Sequence, residues 1–185
     1  MSENKTQQNQ PSEFRFEGVL TEKGVRINDK QTADRLSTSG YGVSENGEFT
    51  LAFFEALYLL DKGLLEVKDE KRKEIAFQKL LAKYKMVDEN AWAKYLAYRD
   101  LRSRGYVVRE GFGASADFRV YERGEFSKDT AKYLIISIQE GKPVAVEDLI
   151  RALKQVQSLK KELVLAVMNR RGEIVYYSVS QLTLK

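Results

Sequence analysis

Residues 133–168 read YLIISIQEGKPVAVEDLIRALKQVQSLKKELVLAVM, and this stretch decides the fold. YLIISI has no polar alternation, so it suits a strand covered on both faces. From Val146 to about Lys160, Leu149, Ile150, Leu153 and Val156 recur at helical spacing and share one face. LVLAVM is apolar again. Strand, helix and strand in that order form a βαβ unit, because a helical crossover returns the second strand parallel to the first and covers the pair. IVYYSV follows across Asn169-Arg170-Arg171-Gly172 and returns antiparallel by a short turn.

Outward from this unit, YVVRE and SADFRVY are two β-rich runs separated by a Gly111/Gly113 turn. Before them lies a helix carrying Trp92, Ala93, Leu96, Ala97 and Leu101 at helical spacing, with Asp88 as its expected N-cap and Gly105 as its stop. The pattern restarts around Lys85 to Asp88, which marks a domain boundary. Upstream, RFEGVL alternates as a strand, Lys23-Gly24 suits a hairpin turn before VRI, and GYGVSENGEF is a turn-rich segment. Thr50 is positioned to cap a helix whose interior, LAFFEALYLL, is apolar on every side and therefore buried. Gly63 ends it and LLEV forms a short strand. The Lys/Glu-dense run from Asp69 to Tyr84 reads as a solvated helix with Ile75, Phe77, Leu80 and Leu81 turned inward. The expected fold is mixed α/β (α+β): a polar, disordered tail over 1–13, an N-terminal α/β domain over 14–84, and a C-terminal domain over 85–185 built on a mixed sheet.

The composition excludes several kinds of chemistry. Among 185 residues there is no cysteine and no histidine. Disulfides, thiolate metal sites and cysteine nucleophiles are therefore absent, as is the one side chain that titrates unperturbed near neutrality. A net charge of +4 permits contact with an acidic polymer through Lys and Arg. No run of apolar residues is long enough to span a membrane, and Met1 to Ser12 lacks the basic start and apolar core of a secretory signal. A cytoplasmic protein is the expectation.

KYLAYRDLRSRGYVVREGF, ADFRVYERG, AKYLIISI, KKELVLAV and EIVYYSV together resemble the catalytic domain of the archaeal tRNA-splicing endonucleases, in the family's order and approximate spacing. FTLAFFEALYLLDKGLLEV is similar to the helix and strand of that family's first domain. The resemblance implies a metal-independent transesterification without a cofactor, in which the 2′-hydroxyl of the RNA attacks the adjacent phosphate. Such chemistry needs a base, an acid for the leaving oxygen and a fixed cation for the phosphorane charge. Carried over residue by residue, the family's tyrosine falls on Tyr121, its lysine on Lys161 and its histidine on Thr130. An alcohol cannot donate a proton as an imidazolium does, and no histidine elsewhere in the chain could replace it. Ala114-Ser115 is a second departure, where the family usually has an aromatic and a glycine.

These residues imply a structural subunit that assembles with a catalytic homologue of the same fold, two of each, on precursor tRNA. The family joins subunits through its last strand and the loop before it; here that strand is IVYYSV and the loop is NRRGE, with arginines where homomeric members are acidic. RNA contacts are expected from Arg99, Arg102 and Arg104, or from Lys154, Lys160 and Lys161. Two alternatives stand beside this reading. One is an active homo-oligomeric endonuclease using Tyr121 and Lys161 alone, or Asp117 and Glu110 with a divalent metal. The other is a stand-alone RNA-binding scaffold.

Overall fold

The computed structural model describes residues 15–111, 116–127 and 130–182, so the expected tail and the departure at Ala114-Ser115 lie outside the described residues. The N-terminal half forms one five-stranded sheet and three helices. In chain order these are β1 (Phe16–Leu20), β2 (Val25–Ile27), α1 (Lys30–Thr38), β3 (Val43–Glu45), β4 (Glu48–Leu51), α2 (Phe53–Asp61), β5 (Leu65–Lys68) and α3 (Phe77–Val87). The strand order is β3-β4-β2-β1-β5, with β1 and β5 parallel and the other pairs antiparallel. The C-terminal half contributes α4 (Ala91–Ser103), β6 (Val107–Glu110), β7 (Phe118–Tyr121), β8 (Tyr133–Gln139), α5 (Val146–Ser158), β9 (Glu162–Met168) and β10 (Ile174–Val179). Its sheet runs β10-β9-β8-β7-β6. β8 and β9 are parallel through α5, and β10 returns antiparallel, as the apolar runs require.

Several local readings are corrected. GYGVSENGEF is a β-hairpin: β3 and β4 pair around Asn46-Gly47, both at positive φ (51° and 82°), the backbone that a tight two-residue hairpin turn demands. Thr50 lies within β4, opposite both Arg26 and Val43, and Ala52 takes the N-cap position of α2. The helix over Asp69–Tyr84 begins only at Phe77; before it, the Asp69 carboxylate accepts from Lys71 N and Lys73 N and folds the run into a turn. Asp88 closes α3 rather than opening α4, whose N-cap is Asn90. α1 is an element the hydrophobic period did not signal, since only Thr32 and Leu36 on it are buried.

The two halves share one apolar core. α2 is buried from Phe53 to Leu59, and its aromatic side chains reach across the joint. The Phe54 ring centroid lies 4.9 Å from Tyr98 on α4 and 5.0 Å, edge-on, from Phe118 on β7. Offset and edge-to-face pairs of this kind add about 1 kcal/mol each beyond area burial. Gly40 fits the α1–β3 connection against β6: its φ is +76°, and a Cβ there would stand 2.4 Å from Val107 Cγ1. In the C-terminal half the sheet is sandwiched, with α4 over one face and Ala152 and Val156 of α5 packed on Leu134 and Leu163 of the other. Ile150 faces solvent at 47% exposure and Trp92 is 36% exposed, so both inward-facing apolar sets are narrower than the sequence period suggests.

One ionisable group is locked inside this core. Glu55, the third residue of α2, is 4% exposed; its carboxylate accepts from Ala52 N at 2.9 Å and from Gly42 N at 3.1 Å, tying the helix start to the loop before β3. Burial pushes the carboxyl up to about 7, against the opposing pull of its backbone hydrogen bonds and of Arg109 and Arg102. Because the folded state holds this proton more tightly than the unfolded chain, the contribution of this group to stability is fully present below the unfolded value of 4.5 and is lost as pH rises towards 7. Urea unfolding at pH 5 and pH 8 is expected to show a loss of about 3 kcal/mol at the higher pH. Glu55→Gln should flatten that difference, and an equally steep fall in the variant would refute the assignment.

Candidate active-site pocket

The sheet order brings three chain segments to one edge. β7 ends at Tyr121, and the parallel strands β8 and β9 begin beside it. Lys132 N donates to Val120 O at 2.9 Å and Glu162 N to Lys132 O at 3.1 Å, so the residues just before each strand stay in register. A cavity of about 180 Å³ opens there, lined by Glu122, Glu125, Thr130, Lys132, Lys160 and Lys161 among others. Thr130 is exposed and Lys161 half-buried, and the Lys161 ammonium donates to the carbonyl of Ala131, the residue beside Thr130. The structure thus brings Thr130 and Lys161 to one cavity. Tyr121 stands next to it on β7, its ring edge-on to Phe126 at 5.0 Å and outside the cavity lining.

Two cavity residues that sequence reasoning passed over are Lys132 and Glu122. Lys132 Nζ donates to Glu122 Oε1 at 2.8 Å, and Tyr133 OH approaches the same oxygen at 3.4 Å. The hydrogen bond to Glu122, followed by that to Tyr133, raises the Lys132 pKa, so this cation stays charged across the neutral range. A lysine two residues beyond Thr130 was the available signal. The cavity therefore presents three lysines beside two carboxylates, Glu122 and Glu125, and a hydroxyl at Thr130 that is no acid at neutral pH.

A second, larger cavity of about 670 Å³ lies between the halves, and Glu110 and Asp117 line it. These carboxylates sit at the opposite end of the β6–β7 pair from Tyr121, since Glu110 pairs with Phe118 while Val107 pairs with Tyr121. Asp117 is engaged within the fold: Oδ1 meets Lys94 Nζ at 2.7 Å and Oδ2 accepts from Ser137 N at 2.6 Å. Lys94 also reaches Asp88 Oδ2 at 2.6 Å. Burial disfavours its charge, but Asp117 and then Asp88 outweigh it and raise the Lys94 pKa.

The profile of the tRNA intron endonuclease N-terminal domain matches residues 16–81, and that of the catalytic C-terminal domain matches residues 91–176. The chain is 33% identical to the tRNA-splicing endonuclease of Methanococcus maripaludis over 165 residues, which is 89% of this chain and 93% of that protein. The chain belongs to the tRNA intron endonuclease family. It is also similar to the tRNA-splicing endonuclease of Pyrococcus furiosus, at 34% identity over 76% of this chain and 80% of that one. Against that of Methanococcoides burtonii it is 33% identical over 87% of this chain but 45% of the longer relative. No described helix is long and apolar enough to cross a membrane.

Within this tRNA intron endonuclease fold the expected RNA-contacting residues separate. Arg102 lies over the Tyr41 ring at 3.9 Å and donates to Ser39 O at 3.2 Å, bracing α4 against the N-terminal half. Arg99 is exposed above Tyr95, Arg104 pairs with Asp100 at 2.7 Å, and Lys154 is exposed on α5. The Asp88–Lys94–Asp117 bridge makes its own prediction. Lys94→Ala leaves two part-buried carboxylates facing each other and should cost about 2 kcal/mol in urea unfolding, most of it recovered in Lys94→Arg; equal losses in both variants would mean packing, not charge, holds the site.

Proposed function

We propose that this chain is the architectural, non-catalytic subunit of a tRNA-splicing endonuclease and that it assembles with a histidine-bearing homologue to excise introns from precursor tRNA. The observation that carries the reading is Thr130: it lines the cavity beside Lys161 at the position where the family resemblance calls for histidine, and the chain has no histidine. Lys161, held by the Ala131 carbonyl, can still neutralise phosphate charge. Nothing at Thr130 can hand a proton to a departing 5′-oxygen, a step worth roughly 10²–10⁴-fold in rate. Tyr121 and Lys161 are then remnants or phosphate contacts in a site that does not turn over.

The partner surface in this reading is β10. It pairs only with β9 among the described strands, leaving its other edge open, and Val175 and Tyr177 on its face are 43% and 53% exposed. An open, aromatic and β-branched edge fits strand addition by a partner. The turn before it carries Arg170 and Arg171, both exposed, so a partner surface meeting this turn is acidic. Two subunits of each type, acting in the cytoplasm, would let one assembly address both splice sites.

Purified alone, the chain is expected to leave an intron-bearing precursor tRNA uncut with or without magnesium. Co-expression with a histidine-bearing homologue should yield a complex, sized by light scattering, that cuts both splice sites. Robust cutting by the isolated chain would overturn the proposal. Thr130→His is expected to give the isolated chain detectable cleavage if the remaining cavity is sound; no gain would trace the loss to more than this residue.

A further inference from the structure

Three half-buried tyrosines, Tyr106, Tyr133 and Tyr176, pack at the rim of the core, and each carries a cation on its ring face. Arg123 Cζ lies 5.5 Å from the Tyr106 centroid, Lys132 Nζ 5.1 Å from Tyr133, and Arg104 Cζ 5.9 Å from Tyr176. Two of the rings are anchored through their hydroxyls: Tyr176 OH donates to Asp100 Oδ2 at 2.7 Å, and Tyr133 OH approaches Glu122. Backbone topology sets Tyr106 and Tyr133 at the same end of the C-terminal sheet as the small cavity, whereas Tyr176 stands opposite Ala166, midway along β9. Tyr106 immediately precedes β6, whose first residue pairs with Tyr121, while Tyr133 opens β8. Lys132 belongs to both groups, because it caps Tyr133 and lines the cavity.

Cation–π pairs at exposed sites stabilise a fold only weakly, which is a weak reason to seat three of them together. Their clearer effect is to hold long, flexible side chains in one orientation before anything binds, which lowers the ordering cost of a contact. Arg123 makes no ion pair among the described residues, and Arg104 remains 54% exposed despite its pairing with Asp100. The Arg123 guanidinium is therefore free of a carboxylate, whereas Arg104 donates Nε and Nη2 to Asp100 and keeps only Nη1 outside that fork to meet an anion.

Resting on the tRNA-splicing reading above, we infer that Arg123 and Arg104, seated on Tyr106 and Tyr176, form a phosphate-contacting shelf that carries the RNA strand away from the Thr130–Lys161 cavity. RNA fits better than an acidic protein because the shelf adjoins, through Lys132, a cavity in which three lysines face two carboxylates, Glu122 and Glu125, a net positive lining for a polyanion.

The test uses the full chain titrated with a fluorescein-labelled oligouridine across a series of salt concentrations, read by anisotropy. Each phosphate contact to single-stranded RNA contributes about 0.7 to the slope of log K against log salt. Arg104→Ala/Arg123→Ala should weaken binding at least several-fold at low salt and make the slope shallower by about 1.4. Arg123→Glu, at an exposed position without an ion pair, provides a second variant with little risk to folding and should weaken binding further than Arg123→Ala. Unchanged affinity and slope in these variants would overturn the shelf. So would a loss of assembly with the catalytic homologue while RNA binding stays intact, since that outcome assigns the surface to a protein. The shelf and the architectural reading fail separately: cutting by the isolated chain sinks only the latter, whereas an unaltered slope sinks only the former.

Discussion

Parallel pairing of β8 with β9 is the constraint on which the site depends. Two parallel strands joined by a helix must both start at the same end of the sheet, so the residues leading into them, Thr130 to Lys132 and Lys160 to Lys161, become neighbours although about thirty positions apart in sequence. The antiparallel return of β7 delivers Tyr121 to that end as well. The register allows little freedom, because a one-residue slip would send Leu134 and Leu163 to the wrong face and expose what α5 covers. Burial of the apolar strands thus fixes the positions of the polar groups at their ends.

The rest of the molecule steadies that arrangement. α4 lies between the halves, with Tyr98 against Phe54 and Phe118, and Lys94 holding Asp88 on one side and Asp117 on the other. Glu55 performs the matching task in the N-terminal half, where a single carboxylate gathers N–H groups from a loop and a helix start. Both devices place ionisable groups where water is scarce, and both are held in place by hydrogen bonds or counter-charge that offset the cost of burial.

Much of this was legible in the sequence where apolar patterning was strong. YLIISI, the α5 period and LVLAVM gave the mixed sheet, and LAFFEALYLL gave the buried α2. Readings failed where a polar side chain had competing uses. Thr50 could cap a helix, but its backbone joins a strand ladder on both sides. Asp88 resembles an N-cap, yet its carboxylate serves Asn90 N and Lys94. α1 has too few apolar residues for a period, and β3 is too short to alternate visibly. At the site, sequence supplied Tyr121, Thr130 and Lys161, but Lys132 and Glu122 emerged only once the strand ends were seen together. Long-range ion pairs such as Lys94–Asp117 leave no local trace.

The open edge of β10 has a consequence for the cell. A strand with unused hydrogen-bonding groups and exposed Val175 and Tyr177 is sticky towards any extended chain that meets it, including another newly made copy of the same polypeptide. In the proposed assembly of two polypeptides, which complexes form would then depend on relative abundance as well as on fit: a surplus of this chain would drive it onto itself, and balanced synthesis would keep the edge occupied by the proposed partner. Under that proposal, production of both polypeptides in step would be a form of quality control built on one uncovered strand.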